Sequence, residues 1–195
     1  MKARESGMPE EQLWDSFFAP AETLRKLQLT PACRAVVDFG CGYGTFTVAA
    51  ARITPGTVFA LDLEAEMLAA TQVKADAGRL RNVRTLLRDF AAEGSGLREG
   101  EADYAMLFNI LHAEEPEVLL REARRVLAPG GKLAIIHWNY DPSTPRGPSM
   151  AIRPRPEQCV AWAESAGFRL LPPGVVDLPP YHYGMVLERL PDSGT

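Results

Sequence analysis

Cysteine is scarce in this chain: Cys33, Cys41 and Cys159 are odd in number and far apart. They form no C-x-x-C pair, no zinc-ligand spacing and no disulfide framework. A dithiol redox motif, a structural metal and a disulfide-stapled scaffold are therefore disfavoured. No metal is expected, and the thiols suit a reduced, cytoplasmic setting. Long apolar runs are missing too. None approaches the roughly 20 residues of a membrane span, and the early charges Lys2, Arg4, Glu5, Glu10 and Glu11 leave no apolar signal core. Positive charge is not in excess either: 21 basic residues stand against 25 acidic ones, for a net charge of −4. Without a broad positive field, nucleic acid is a disfavoured partner. Internal repeats and a second domain boundary are likewise absent, so 1–195 reads as a single domain long enough to bury a full core.

What the chain does contain is an alternation of apolar strands and helical patterns, which predicts an α/β fold with a parallel sheet covered on both faces. Strands are expected near 34–39, 57–62, 83–87, 104–108, 132–138, 168–171 and 183–190. Helices are expected near 44–52, 64–80, 116–127 and 157–166. Pro129-Gly130-Gly131 should stop the third of these helices and turn the chain into the next strand. Residues 139–156 carry five prolines, Arg146, Arg153 and Arg155, and no periodicity, so they read as a long ordered loop of functional type. Residues 10–29 form an amphipathic lead-in that Pro20 splits into two short helices. Within the N-terminal segment 1–30 this lead-in is either a lid over a ligand or a helix packed on the sheet edge, and its spacing fits both.

The most specific local signal is Val36-Val37-Asp38-Phe39-Gly40-Cys41-Gly42-Tyr43-Gly44-Thr45, an apolar strand ending in an acid and followed by glycines at every second position. A nicotinamide-binding loop reads G-x-G-x-x-G. Here the frame from Gly40 meets Thr45 where the third glycine should stand, and the frame from Gly42 meets Thr47. The loop still offers free N–H groups and a positive helix end to a small anion such as a carboxylate. Acids follow three successive strands at the carboxyl edge, where open α/β sheets bind ligands: Asp38, Asp62 and Asp89. Each alone reads most simply as a cap or surface acid. Together they suit a ligand with an ammonium near Asp38, a ribose at Asp62 and a carboxylate at the loop, which is the chemistry of S-adenosylmethionine.

Four blocks in order, Val36–Gly44, Ala60–Leu63, Arg88–Phe90, and Asp103–Asn109 with Arg125–Gly131, resemble the class I S-adenosylmethionine-dependent methyltransferases, of the small bacterial and archaeal type. The resemblance covers roughly 34–138. It implies a Rossmann-like, seven-stranded, mostly parallel sheet with the last strand antiparallel and helices on both faces. It also implies roles. Gly40, Cys41 and Gly42 would lie along the methionine part of the cofactor, with Asp38 near its ammonium. Asp62 would take the ribose hydroxyls, and Leu63 would pack on the adenine. Asp89 and the Phe90 N–H would read the adenine, and Asn109 would lie beneath the methionine chain.

The implied activity is methyl transfer to a small-molecule acceptor by proximity and alignment, with general-base help where the acceptor arrives protonated. Some acceptor types are disfavoured by what is missing. The block after the fourth strand reads Asn109-Ile110-Leu111-His112 rather than N/D-P-P-Y/F, and no cysteine follows a proline. A non-catalytic S-adenosylmethionine-binding subunit and, less so, an NAD-dependent oxidoreductase are the competing readings. For the acceptor pocket, His137 is the first candidate and the candidate base. His182 between Tyr181 and Tyr183, His112, and Arg146 with Arg153 as an anion clamp follow.

Overall fold

The computed structural model describes residues 10–192. The first nine residues of the N-terminal segment and residues 193–195 lie outside the described part. Among the described residues eight strands build one sheet: β1 (Ala35–Phe39), β2 (Thr57–Asp62), β3 (Val83–Leu87), β4 (Ala102–Phe108), β5 (Leu127–Trp138), β6 (Phe168–Leu170), β7 (Val176–Leu178) and β8 (His182–Arg189). Their order is β3-β2-β1-β4-β5-β8-β6, with β7 also on β8. β8 runs antiparallel to β5, β6 and β7, and the other strands share one direction. This is the Rossmann-like sheet expected, with its last strand antiparallel.

The eighth strand is the difference. β5 pairs with β8 from Lys132↔Glu188 to Trp138↔His182, so β6 and β7 must share the other edge of β8. They are two pieces of one edge strand, interrupted at Leu171–Val175. Three residues are too few to show a period, so β7 is invisible in the sequence. A second difference lies at Pro129-Gly130-Gly131. Helix α5 (Pro116–Val126) already ends at Val126, and Leu127 pairs with Ala102. Lys132 then pairs with Tyr104, so the Pro-Gly-Gly segment is a bulge within β5, with Gly130 at φ 77°.

Continuous burial along β1 follows from cover on both faces. One face carries α1 (Glu11–Asp15), α2 (Pro20–Lys26), α3 (Thr45–Ile53) and α4 (Ala65–Ala77), and the other carries α5 and α6 (Pro156–Ser165). Between β3 and β4 the segment holding Phe90 and Leu97 packs on the α5/α6 face where a helix would otherwise be needed. Pro20 starts α2 at its first turn, where the missing N–H is not required. The chain steps outward from β1 to β2 and β3, then returns to β4 on the other side of β1. That reversal leaves a crevice between the carboxyl ends of β1 and β4, the usual ligand position in such sheets.

Candidate functional site

The loop after β1 fills one side of this crevice. Gly40, Gly42 and Gly44 all take positive φ (73°, 52° and 76°), which explains a glycine at every second position. The Gly40 and Cys41 N–H groups both donate to the Leu61 carbonyl, at 2.8 and 2.9 Å. At Gly44 an added Cβ would come within 2.6 Å of the Thr71 hydroxyl, so α3 and α4 approach closely only because that side chain is missing. Asp62 ties the loop down from β2: one carboxylate oxygen accepts from the Gly42 N–H at 2.9 Å and the other from the Glu64 N–H at 3.0 Å.

Asp38 is buried beneath the loop and accepts a 2.6 Å hydrogen bond from the Thr47 hydroxyl. Burial pushes its pKa up to about 7; the Thr47 bond pulls it down, and the nearby Asp62 adds to the rise. Burial also raises the Cys41 thiol above its ordinary value, so Cys41 is no thiolate nucleophile. Across the crevice Asn109 follows β4 with φ 58°, its N–H donating to the Ile136 carbonyl at 2.8 Å. Both polar atoms of its side-chain amide are buried with no hydrogen-bond partner among the described residues. Asp38, Gly40, Cys41, Gly42 and Asn109 thus line one cavity of about 80 Å³.

Aromatic residues that the motif reading did not single out close this cavity: Trp14, Phe46, Phe108 and Trp138. Trp14 comes from α1 and packs on Trp138, Phe18 and His182. α1 is held across the crevice by Lys74 on Glu11 (2.6 Å) and by the Thr45 hydroxyl on Asp15 (2.7 Å). The apolar stripe of 10–29 was visible in the sequence; its seat on the cavity was not.

Leu63, Asp89 and Phe90 stand farther along the same edge, after β2 and β3. Leu63 is 42% exposed, a large apolar side chain presented to solvent beside Asp62. Asp89 accepts from the Ala92 N–H at 3.1 Å, and Phe90 is buried edge-on against Phe39.

The histidines are placed differently from the residues expected to hold the cofactor. Along β5, Leu133 and Ile135 face α5 and α6, whereas Ala134, Ile136 and Trp138 face α1–α3. His137 follows the first set. It is fully buried, stacked on Tyr183 and edge-on to His112 at 5.5 Å, away from the cavity lined by Trp138. Burial, with the neighbouring His112, His182 and Arg153, holds its pKa well below the usual histidine value. His182 lies on the opposite face in the aromatic cluster, 4.2 Å from Trp138, and burial and Arg153 push it down to about 3. Arg146 is exposed. Arg153 is buried and donates to the carbonyls of Asn139, Asp141, Arg146 and Pro148 and to the Thr144 hydroxyl. It is the internal brace of the 139–156 loop, and its donors are committed there.

Comparison with known proteins agrees with this geometry. A family model described as a methyltransferase domain matches residues 36–131. An uncharacterised 37.1 kDa protein in transposon TN4556 of Streptomyces fradiae is 30% identical over 159 residues, 76% of this chain and 45% of that protein. A ubiquinone biosynthesis O-methyltransferase of Xanthomonas axonopodis pv. citri is 30% identical over 118 residues, 60% of this chain and 48% of that enzyme. The matched stretch thus spans less than half the length of either relative. A crystal structure of a SAM-dependent methyltransferase from Aquifex aeolicus has the same fold, with a TM-score of 0.81, 24% identity and coverage of 93% of this chain and 94% of that one. No helix among the described residues is long and apolar enough to cross a membrane. Residues 36–131, which carry the glycine loop, the strand-end acids and strands β2–β4, are thus a methyltransferase domain of the class I S-adenosylmethionine-dependent type.

Proposed function

We propose that this chain binds S-adenosylmethionine in the β1/β4 crevice and transfers its methyl group to a small-molecule acceptor. The observation that carries this reading is the Asn109 amide: both its polar atoms are buried and unpaired in a cavity that also holds Asp38 and the Gly40–Gly42 backbone. Buried amides are almost always hydrogen-bonded, so this one calls for a polar ligand. When bound, the cofactor supplies a methyl group already activated on a sulfonium.

The chain's own residues hold, orient and keep dry. Asp38 receives the ammonium, which favours its charged form. Asp62 keeps its bonds to Gly42 and Glu64 and uses its remaining lone pairs for the ribose hydroxyls. Leu63 covers the adenine, while Asp89 and the Phe90 N–H meet its edge. Trp14, Phe46, Phe108 and Trp138 exclude water from the reacting end, and α1 acts as the lid. Alignment rather than a fixed base is the chain's contribution. His137 is away from the cavity and is assigned no proton transfer here.

Calorimetry with S-adenosylhomocysteine and with NAD tests the cofactor assignment. Binding of the former and not the latter is expected; tight NAD binding alone would overturn it. Transfer of a labelled methyl group from S-adenosylmethionine into the small-molecule fraction of a cell extract tests the activity. Cofactor binding without any labelled small product would instead favour a binding subunit.

A further inference from the structure

A second and larger cleft, of about 470 Å³, opens at the same edge of the sheet. The turn after β4 divides it from the cofactor cavity: Asn109 and Ile110 line the one, Leu111 and His112 the other. Its far wall is the end of the 139–156 loop and α6, including Ile152, Arg155 and Trp162. The volume is in the range of small-molecule sites, roughly 300–1,000 Å³.

The charges of the two pockets are opposite. The cofactor cavity holds the Asp38 carboxyl and, among the described residues, is lined by no lysine or arginine. Among the described residues the cleft holds the guanidinium groups of Arg153 and Arg155 against one carboxylate, that of Glu114. Arg153 is spent on the loop. Arg155 is not: its guanidinium lies over the Tyr140 ring, 3.7 Å from the centroid, and has no carboxylate partner among the described residues. Elsewhere Arg124, Arg125, Arg169 and Arg189 are each paired with an acid. The Arg155 backbone is fixed as well, its N–H donating to the Gln158 side chain at 2.9 Å.

We propose that this cleft is the acceptor subsite and that it takes an acceptor carrying a carboxylate or phosphate, anchored by Arg155. The proposal rests on the transferase reading above. A guanidinium already stacked on an aromatic ring gives up little further freedom on binding, and its planar fork matches both anions in a two-point contact. Leu111, Ile152 and Trp162 supply the apolar surface for the carbon skeleton. The charge division also sorts the ligands: the acidic cavity favours the cationic end of the donor, and the basic cleft favours an anionic acceptor.

The test is titration of the full chain, saturated with S-adenosylhomocysteine, with benzoate, phenyl phosphate and neutral benzamide. At least one anion is expected to bind about tenfold more tightly than benzamide, the margin of one good charge-assisted contact. The stronger of the two identifies carboxylate or phosphate as the natural group. Arg155→Gln should remove that margin without changing S-adenosylhomocysteine affinity, and Arg155→Lys should keep part of it. Should Arg155→Gln fold poorly, Tyr140→Leu removes the stacking platform at an exposed position and should weaken anion binding several-fold. Benzamide binding as well as both anions, or anion binding unchanged in these variants, would overturn the assignment. If the wild-type chain does not bind S-adenosylhomocysteine, the cofactor reading fails instead, and the same titrations without it still report on Arg155.

Discussion

The Thr47 hydroxyl donates to the Asp38 carboxyl at 2.6 Å in a site closed to water, joining the first turn of α3 to the end of β1. Burial leaves Asp38 with a pKa of about 7 in the folded chain, against an ordinary value of 3.8. The folded state therefore holds this proton more tightly than the unfolded state does. Asp38 contributes stability that is lost as pH rises from about 4 to about 7. Asp38→Asn, which keeps the shape and removes the charge, is expected to be more stable than wild type by about 2–4 kcal/mol at pH 8, the difference closing toward pH 4. Denaturant unfolding at both pH values measures it, and equal stability at pH 8 would contradict the buried-charge account.

On the proposed cofactor placement, the same group should make cofactor affinity depend on pH. An ammonium beside Asp38 favours the carboxylate, so binding releases the proton. Affinity for S-adenosylhomocysteine should rise about tenfold between pH 6 and pH 8 in wild type and stay flat in Asp38→Asn. Calorimetry in buffers of different ionisation enthalpy would detect the released proton directly.

Asp62→Ala removes the acceptor for the Gly42 and Glu64 N–H groups along with the proposed ribose contact. Cofactor affinity should fall by about 1–3 kcal/mol, and the apo protein should lose about 1–2 kcal/mol as the loop loosens. Unchanged affinity would show that the ribose lies elsewhere.

Arg153→Ala takes away six hydrogen bonds that hold 139–153 together. A loss of about 2–4 kcal/mol is expected, since the freed carbonyls are left poorly solvated. Hydrogen exchange should quicken in the loop and at the adjoining end of β5 while β1–β3 stay protected.

Trp14→Ala tests whether α1 is a lid. The substitution should weaken S-adenosylhomocysteine binding by about tenfold, because one wall of the cavity goes with the side chain. A change in melting temperature with no change in affinity would assign α1 to edge packing instead.

Most strands and helices were legible because each carries a period or a stop that local chemistry enforces. Val36–Phe39 reads as a strand buried on both sides, Pro20 marks a first helical turn, and glycine alternation marks a loop of left-handed residues. β7 was not legible, because three residues in an interrupted edge have no period. The bulge at Pro129–Gly131 was misread as a helix stop for a related reason. Proline and glycine announce a break in regular structure without saying whether a turn or a bulge will use it.

The candidate site divides along the same line. Asp38, Gly40, Gly42, Asp62 and Asp89 sit at strand ends, and chain position alone puts strand ends at one edge of a parallel sheet. The sequence by itself thus determined the fold class, the family and which acids and glycines stand at the carboxyl edge of the sheet. What the tertiary structure decided is how side chains distant in sequence meet. It set Trp14 of α1 over the cavity, turned His137 to the far face by strand parity, spent Arg153 on its own loop, and left Arg155 stacked on Tyr140 beside an open cleft. Those outcomes depend on register, on strand face and on which arginine lies within reach of the loop carbonyls, and no local pattern encodes them.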